Sequence, residues 1–226
     1  MVHVVSVVGL RERKKLELRE RLCDEARRLF AAQDSAAVSV DVIAQAAGVS
    51  RATFFNYFPS KGALLDELAG RMTDRLRRYL EEERALGQPL EATLVHWFAR
   101  SVATIRRSEA LTRLLFGRAF AGAEENELRA TQMAAVHRAY EGLVADAQAR
   151  GEVDARADVA FHAEMLAGSM TMLLNNWFND RAYPLEARAE QTARFVAAAM
   201  MADRVPRAKP ARAPRKKETH ARIRTR

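Results

Sequence analysis

The 226-residue chain has one cysteine, six prolines and ten glycines, and aromatic residues make up only 7% of it. A lone Cys23 excludes an internal disulfide framework and suits a reducing compartment. Few glycines and prolines, set against abundant Ala, Leu, Arg and Glu, favour helix over sheet. No apolar run approaches the roughly 20 residues of a membrane-spanning helix. The opening MVHVVSVVGL is apolar but short. It has neither a basic leader nor a cleavage site and does not read as a signal peptide. These absences lead us to expect a soluble, cytoplasmic, all-α protein with no membrane partner.

What is present is charge, unevenly placed. The net charge is +8, yet residues 204–226 alone carry +9 and residues 1–62 carry +3, which leaves −4 for the middle. Basic ends and an acidic centre point to a polyanionic partner for the ends.

Apolar periodicity predicts about nine helices and no strands. The first spans about 11–33, with Leu18, Leu22, Ala26, Leu29 and Phe30 on one stripe. Ser39 caps a short second helix, which Gly48 ends. Ser50 caps a third, through about Phe58. Pro59 stops it, and Ser60 caps a long fourth helix to about Arg84. Five more are expected near 90–106, 109–119, 124–150, 156–179 and 185–202. Beyond Asp203 the chain is basic, carries three prolines and has few large apolar groups. It is expected to be disordered.

The segment AGVSRATFFNYFPSK, residues 47–61, is both aromatic and polar. On a helix, Phe54, Phe55 and Phe58 are predicted to face inward, each contributing on the order of 2 kcal/mol of burial. Ala52, Thr53, Asn56 and Tyr57 are predicted to face outward, and the long stem of Arg51 carries its guanidinium out as well. Two short helices joined at a glycine turn are the parts of a helix-turn-helix, whose second helix enters the major groove of DNA. An arginine fork suits a guanine edge. Ser, Thr and Tyr hydroxyls suit phosphates, and Lys61 is placed for another.

The stretch SVDVIAQAAGVSRATFFNYFPSKGALL resembles the DNA-binding signature of the TetR family of bacterial transcriptional repressors, densely over residues 14–70. The resemblance implies an all-helical homodimer: a three-helix DNA-binding domain at 11–60, an effector-binding and dimerisation domain at 61–203, and the basic tail at 204–226. It assigns Ser39 a phosphate contact, turns Ser50, Arg51, Ala52 and Thr53 toward bases and nearby backbone, and lets Asn56 and Tyr57 follow in the groove. Lys61 holds a phosphate. Two positions depart from the family pattern. Ala52 replaces a frequent glycine. Phe55 replaces a frequent tyrosine, which removes a hydroxyl worth about 1 kcal/mol of affinity.

In the family a cavity in the larger domain accepts an effector, whose binding moves the fourth helix and separates the two reading heads. Candidate lining residues are Trp97, Phe116, Tyr140, Met165 and Trp177, implying a small hydrophobic effector. His96, His137 and His162 lack metal spacing, and no cofactor is expected. Asn175 and Asn176 suit either a ligand or a partner helix. Leu166, Met170, Leu173, Leu174, Phe178, Phe195, Val196 and Ala199 are candidates for a dimer interface between the last two helices. The competing expectation is that those helices only close the protomer core.

The function expected is a sequence-specific transcriptional repressor released from a palindromic operator by such an effector. The alternative is an architectural protein that coats DNA without responding to an effector. Catalysis is not expected: the chain has no phosphate loop, no zinc-spaced His or Cys set and no nucleophile in a recognisable setting. Glu81, Glu82 and Glu83 read as a solvated run.

Overall fold

The computed structural model describes residues 9–32, 37–120 and 127–202. Within them the chain forms nine α-helices and no strand. They are α1 (Leu10–Ala32), α2 (Val40–Ala46), α3 (Arg51–Phe55), α4 (Lys61–Ala85), α5 (Leu90–Arg107), α6 (Glu109–Phe120), α7 (Glu127–Ala149), α8 (Val159–Asn179) and α9 (Leu185–Ala202). The basic segment 204–226 lies outside the described residues, as do residues 1–8, 33–36 and 121–126.

Local chemistry sets most of the helix starts. Ser39 Oγ accepts from Val42 N, Ser50 Oγ from Thr53 N and Ser60 Oγ from Ala63 N, so three serines cap α2, α3 and α4. Each satisfies a backbone donor that the first turn leaves orphaned. Asp158 does the same for α8, accepting from Phe161 N, and so moves its start three residues past the predicted 156. Gly48 has φ of +68°, the left-handed conformation that ends α2 and turns the chain into α3.

α3 is shorter than predicted. Regular helix stops at Phe55, and the Asn56 amide is shared between the Ala52 and Thr53 carbonyls. Pro59 disfavours helical backbone at the residue before it, so Tyr57 and Phe58 leave as a turn.

Two hydrophobic cores result. The first joins α1, α2 and α3 through Leu22, Ala26, Phe30, Ile43, Ala44, Phe54 and Phe58. It continues past residue 60, drawing in Leu64, Leu65 and Leu68 of α4 and Leu111 and Leu115 of α6. The second is built by α4, α5, α7, α8 and α9 around Trp97, Phe98, Leu143, Val144, Leu166 and Trp177. α4 therefore contributes to both cores: its N-terminal half supports α3, and its C-terminal half belongs to the larger bundle.

Candidate functional site

Phe54 and Phe58 are sealed in the first core and fix the pose of α3. Phe55 is not sealed: it is 40% exposed, which corrects the prediction that all three phenylalanines face inward. On this five-residue helix Phe54 takes the inward direction, and Phe55, turned about 100° from it, points past the edge of the core. Phe55 instead stands edge-on to Phe54, with ring centroids 5.5 Å apart. Phe58 reaches the core because it stands four residues after Phe54 with its amide still donating to the Phe54 carbonyl at 3.0 Å, which keeps the two rings on one side.

The opposite side of α3 is polar and open. Arg51, Ala52 and Asn56 are exposed, as are Ser39 and Ser50, while Thr53, Tyr57 and Lys61 are half-buried. Ser50 Oγ lies 2.8 Å from Thr53 Oγ1, so the two hydroxyls share one hydrogen bond. The Arg51 guanidinium donates from Nη1 to Asp41 at 2.5 Å and sits 5.4 Å from the Phe55 ring centroid. Lys61 Nζ lies over the Phe30 ring, 5.4 Å from its centroid. All eight sequence-predicted residues thus gather around α3 and the two helix starts beside it.

Sequence reasoning singled out no residue of α1 for this surface. The N-terminal half of α1 runs beside Tyr57 and forms a shallow cleft lined by Arg11, Lys14, Lys15, Leu18 and Arg21, with Glu12 and Glu17 among them. The signal was available in the run RERKK, but only the fold brings it to Tyr57.

The candidate pocket residues do not converge. Trp97 is a core residue, donating from Nε1 to Leu76 O at 3.0 Å and packing against Phe98 and Tyr140. Tyr140 is buried with it, and burial pushes its phenol well above the usual range. Met165 is exposed on the outer face of α8, one helical side away from the core stripe. Phe116 and Trp177 remain on the inner side of α6 and α8. Phe116 packs against Phe178, and Arg113 lies 4.1 Å over the Trp177 ring. Arg113 Nη2 and Trp177 Nε1 are buried donors with no hydrogen-bond partner among the described residues.

The candidate interface residues also divide. Leu166, Met170, Leu173 and Val196 are buried within the protomer, because they form the inward stripes of α8 and α9. Leu174 and Phe178 are half-buried, and Phe195 and Ala199 are exposed. The apolar groups left outside are Phe161, Met165 and Met172 on α8 and Phe195 on α9. Cys23 is buried, and burial pushes its thiol up to about 12, so it serves as packing rather than as a nucleophile. No helix among the described residues is long and apolar enough to cross a membrane.

Residues 22–68 match the family model described as bacterial regulatory proteins, tetR family. Uncharacterized HTH-type transcriptional regulators from two strains of Mycobacterium tuberculosis are each 42% identical to this chain over 77 residues, which is 34% of this chain. The match spans 38% of the length of those relatives. Among solved structures, the regulator FadR of Bacillus subtilis in complex with stearoyl-CoA superposes with a TM-score of 0.63 at 20% identity, covering 79% of this chain and 97% of that one. FadR of Thermus thermophilus, a TetR-family repressor in complex with lauroyl-CoA, gives 0.63 at 22% identity, covering 85% and 100%. SmeT, the repressor of a Stenotrophomonas maltophilia multidrug efflux pump, gives 0.63 at 18% identity, covering 85% and 97%. At these identities the structures speak for the fold, while the sequence match speaks for the three-helix head and the start of α4. Over its three-helix head and the start of α4, the chain is similar to the tetR family of bacterial regulatory proteins.

Proposed function

We propose that the protein is a homodimeric, sequence-specific transcriptional repressor that binds a palindromic operator and is released by a small hydrophobic effector. One observation carries the reading. α3 is anchored from below by Phe54 and Phe58, so its outer edge of exposed Ser50, Arg51, Ala52 and Asn56 and half-buried Thr53 is presented rigidly. A short, rigid, polar edge at a helix N-terminus is what close approach to base edges requires. In this reading Arg51 and Asn56 read bases. Ser39, Ser50, Thr53, Tyr57 and Lys61 hold backbone phosphates, and Arg11, Lys14, Lys15 and Arg21 add phosphate contacts along α1.

Residues 11–60 supply the reading head. Residues 61–203 supply the effector site and the dimer face, and the basic tail 204–226 adds salt-sensitive affinity. We place the effector beside α6 and α8, where Arg113 Nη2 and Trp177 Nε1 face no protein acceptor among the described residues. An apolar molecule with a carbonyl or carboxylate would satisfy both donors. Two structural neighbours are in complex with stearoyl-CoA and lauroyl-CoA, so fatty-acyl thioesters are the first effectors to test.

The test is selection of bound duplexes from a random pool, repeated with acyl thioesters present. The expected result is one palindromic sequence whose half-sites lie about 34–36 Å apart, with recovery falling when the effector is added. Uniform recovery of all sequences would favour DNA coating and overturn the repressor reading.

A further inference from the structure

An acidic side chain stands on the surface that this reading turns toward DNA. Asp41 lies in the first turn of α2 and is exposed, as is its partner Arg51. A carboxylate there repels phosphate and weakens general DNA affinity. The fold does not require the pair, because exposed ion pairs contribute little stability in water. What the pair does is geometric. Asp41 Oδ2 takes one corner of the guanidinium, Nη1, at 2.5 Å. The Phe55 ring lies beneath the same group, 5.4 Å from centroid to guanidinium carbon. The other donors, Nε and Nη2, make no hydrogen bond among the described residues. They form one edge of the fork, with the spacing that pairs with O6 and N7 of guanine.

We propose that Asp41 is a positioning residue for base reading: with Phe55 it holds Arg51 so that the Nε–Nη2 edge is offered to a guanine and withheld from phosphates. The inference rests on the DNA-reading function proposed above. It gives Asp41 a role in specificity that runs against its effect on affinity. Loss of the carboxylate frees a long, flexible cation that phosphates of any sequence can capture. Phe55 fits the same account: its exposed ring carries no hydroxyl that could draw Arg51 into a hydrogen bond.

The experiment measures dissociation constants of the full chain for its selected duplex and for a scrambled duplex of equal length, at one salt concentration. Wild type, Asp41→Asn, Arg51→Ala and the double variant are compared. Asp41→Asn is expected to bind the scrambled duplex more tightly than wild type. Its selected-to-scrambled preference is expected to fall about tenfold, the scale of one bidentate base contact. In the Arg51→Ala background the same change is expected to leave the preference unaltered, since the positioned group is gone. Asp41→Glu, which keeps a carboxylate within reach, is expected to retain most of the preference. Asp41 also favours α2 through the helix dipole. That contribution appears in a thermal melt and does not alter a ratio of two affinities. An undiminished preference in Asp41→Asn, or an equal loss in the Arg51→Ala background, overturns the proposal. A wild-type chain that shows no preference at all overturns the DNA-reading function itself, and this inference with it.

Discussion

A buried acid destabilises a fold unless a partner answers its charge. Glu83 on α4 is 6% exposed and is answered by Arg100, whose Nη1 donates to it at 2.7 Å. Arg100 also reaches Glu82 at 2.6 Å, and these hydrogen bonds, the one to Glu83 foremost, raise its pKa. Glu81, two residues before Glu83, is exposed and pairs with Arg77 along the helix. The three glutamates are therefore not one solvated run, as the sequence suggested, because successive helical residues point about 100° apart. Glu83→Gln keeps the shape and removes the charge opposite Arg100. It is expected to lower unfolding stability by about 1–3 kcal/mol. Glu81→Gln is expected to stay within about 0.5 kcal/mol of wild type. Urea unfolding checks both, read as a shift in midpoint at constant slope. Equal midpoints for the two variants would remove the structural role assigned to Glu83.

Between elements, the head is fastened to α4 by charge as well as by its core. Glu67 on α4 accepts from Arg19 of α1 at 2.8 Å and from Arg71 at 2.9 Å, and Arg71 reaches back to Glu20 of α1 at 2.5 Å. Partial burial raises the Glu67 carboxyl, but hydrogen bonds from Arg19 and Arg71 outweigh it and hold the group below the usual 4.5. A carboxyl with a lowered folded pKa binds protons more weakly in the native state than in the unfolded one. Its stabilisation is therefore present above 4.5 and is lost as pH falls through the folded value. The melting temperature is expected to drop on acidification from about pH 5 to about pH 3, and Glu67→Gln is expected to flatten part of that drop. Identical pH dependence in the variant would show that the α1–α4 clamp contributes nothing. This clamp was not legible in the sequence, since Arg19 and Glu67 are 48 residues apart. Ser39, Ser50, Ser60 and Gly48 were legible because caps and turns are decided within four residues. The stripe of Leu22, Ala26, Leu29 and Phe30 was legible because a period of 3.6 leaves one inner face. Phe55 was misplaced because α3 is too short for a stripe to define its face. The sequence anticipated the exposure of Arg51, Ala52 and Asn56 but could not pair Arg51 with Asp41 across the turn.

At the scale of the whole molecule, the same limit governs α8 and α9, where most positions are apolar or small and the sequence does not distinguish inside from outside. The structure buries Leu166, Met170, Leu173 and Trp177 and leaves Phe161, Met165 and Met172 in the open beside Phe195, which is 73% exposed. A phenylalanine that exposed contributes little to its own protomer, so its removal scarcely affects folding. As the centre of a face shared by two copies, it would be an aromatic anchor, and truncating such an anchor costs about 2 kcal/mol or more of association. Phe195→Asp places two like charges in contact across a twofold axis and adds repulsion to that loss. The variant is expected to keep the wild-type helical signal and to stay within about 0.5 kcal/mol of the protomer's unfolding stability. In sedimentation at micromolar concentration it is expected to run as a monomer. Under the proposed function operator affinity should fall with it, because one head would engage one half-site and the second contact would no longer be tethered. Met172→Asp, on the neighbouring helix, is expected to act in the same direction. Variants at both positions that sediment as the wild type does would move the proposed dimer interface off this face, and with it the spacing between heads on which the proposed palindrome recognition depends.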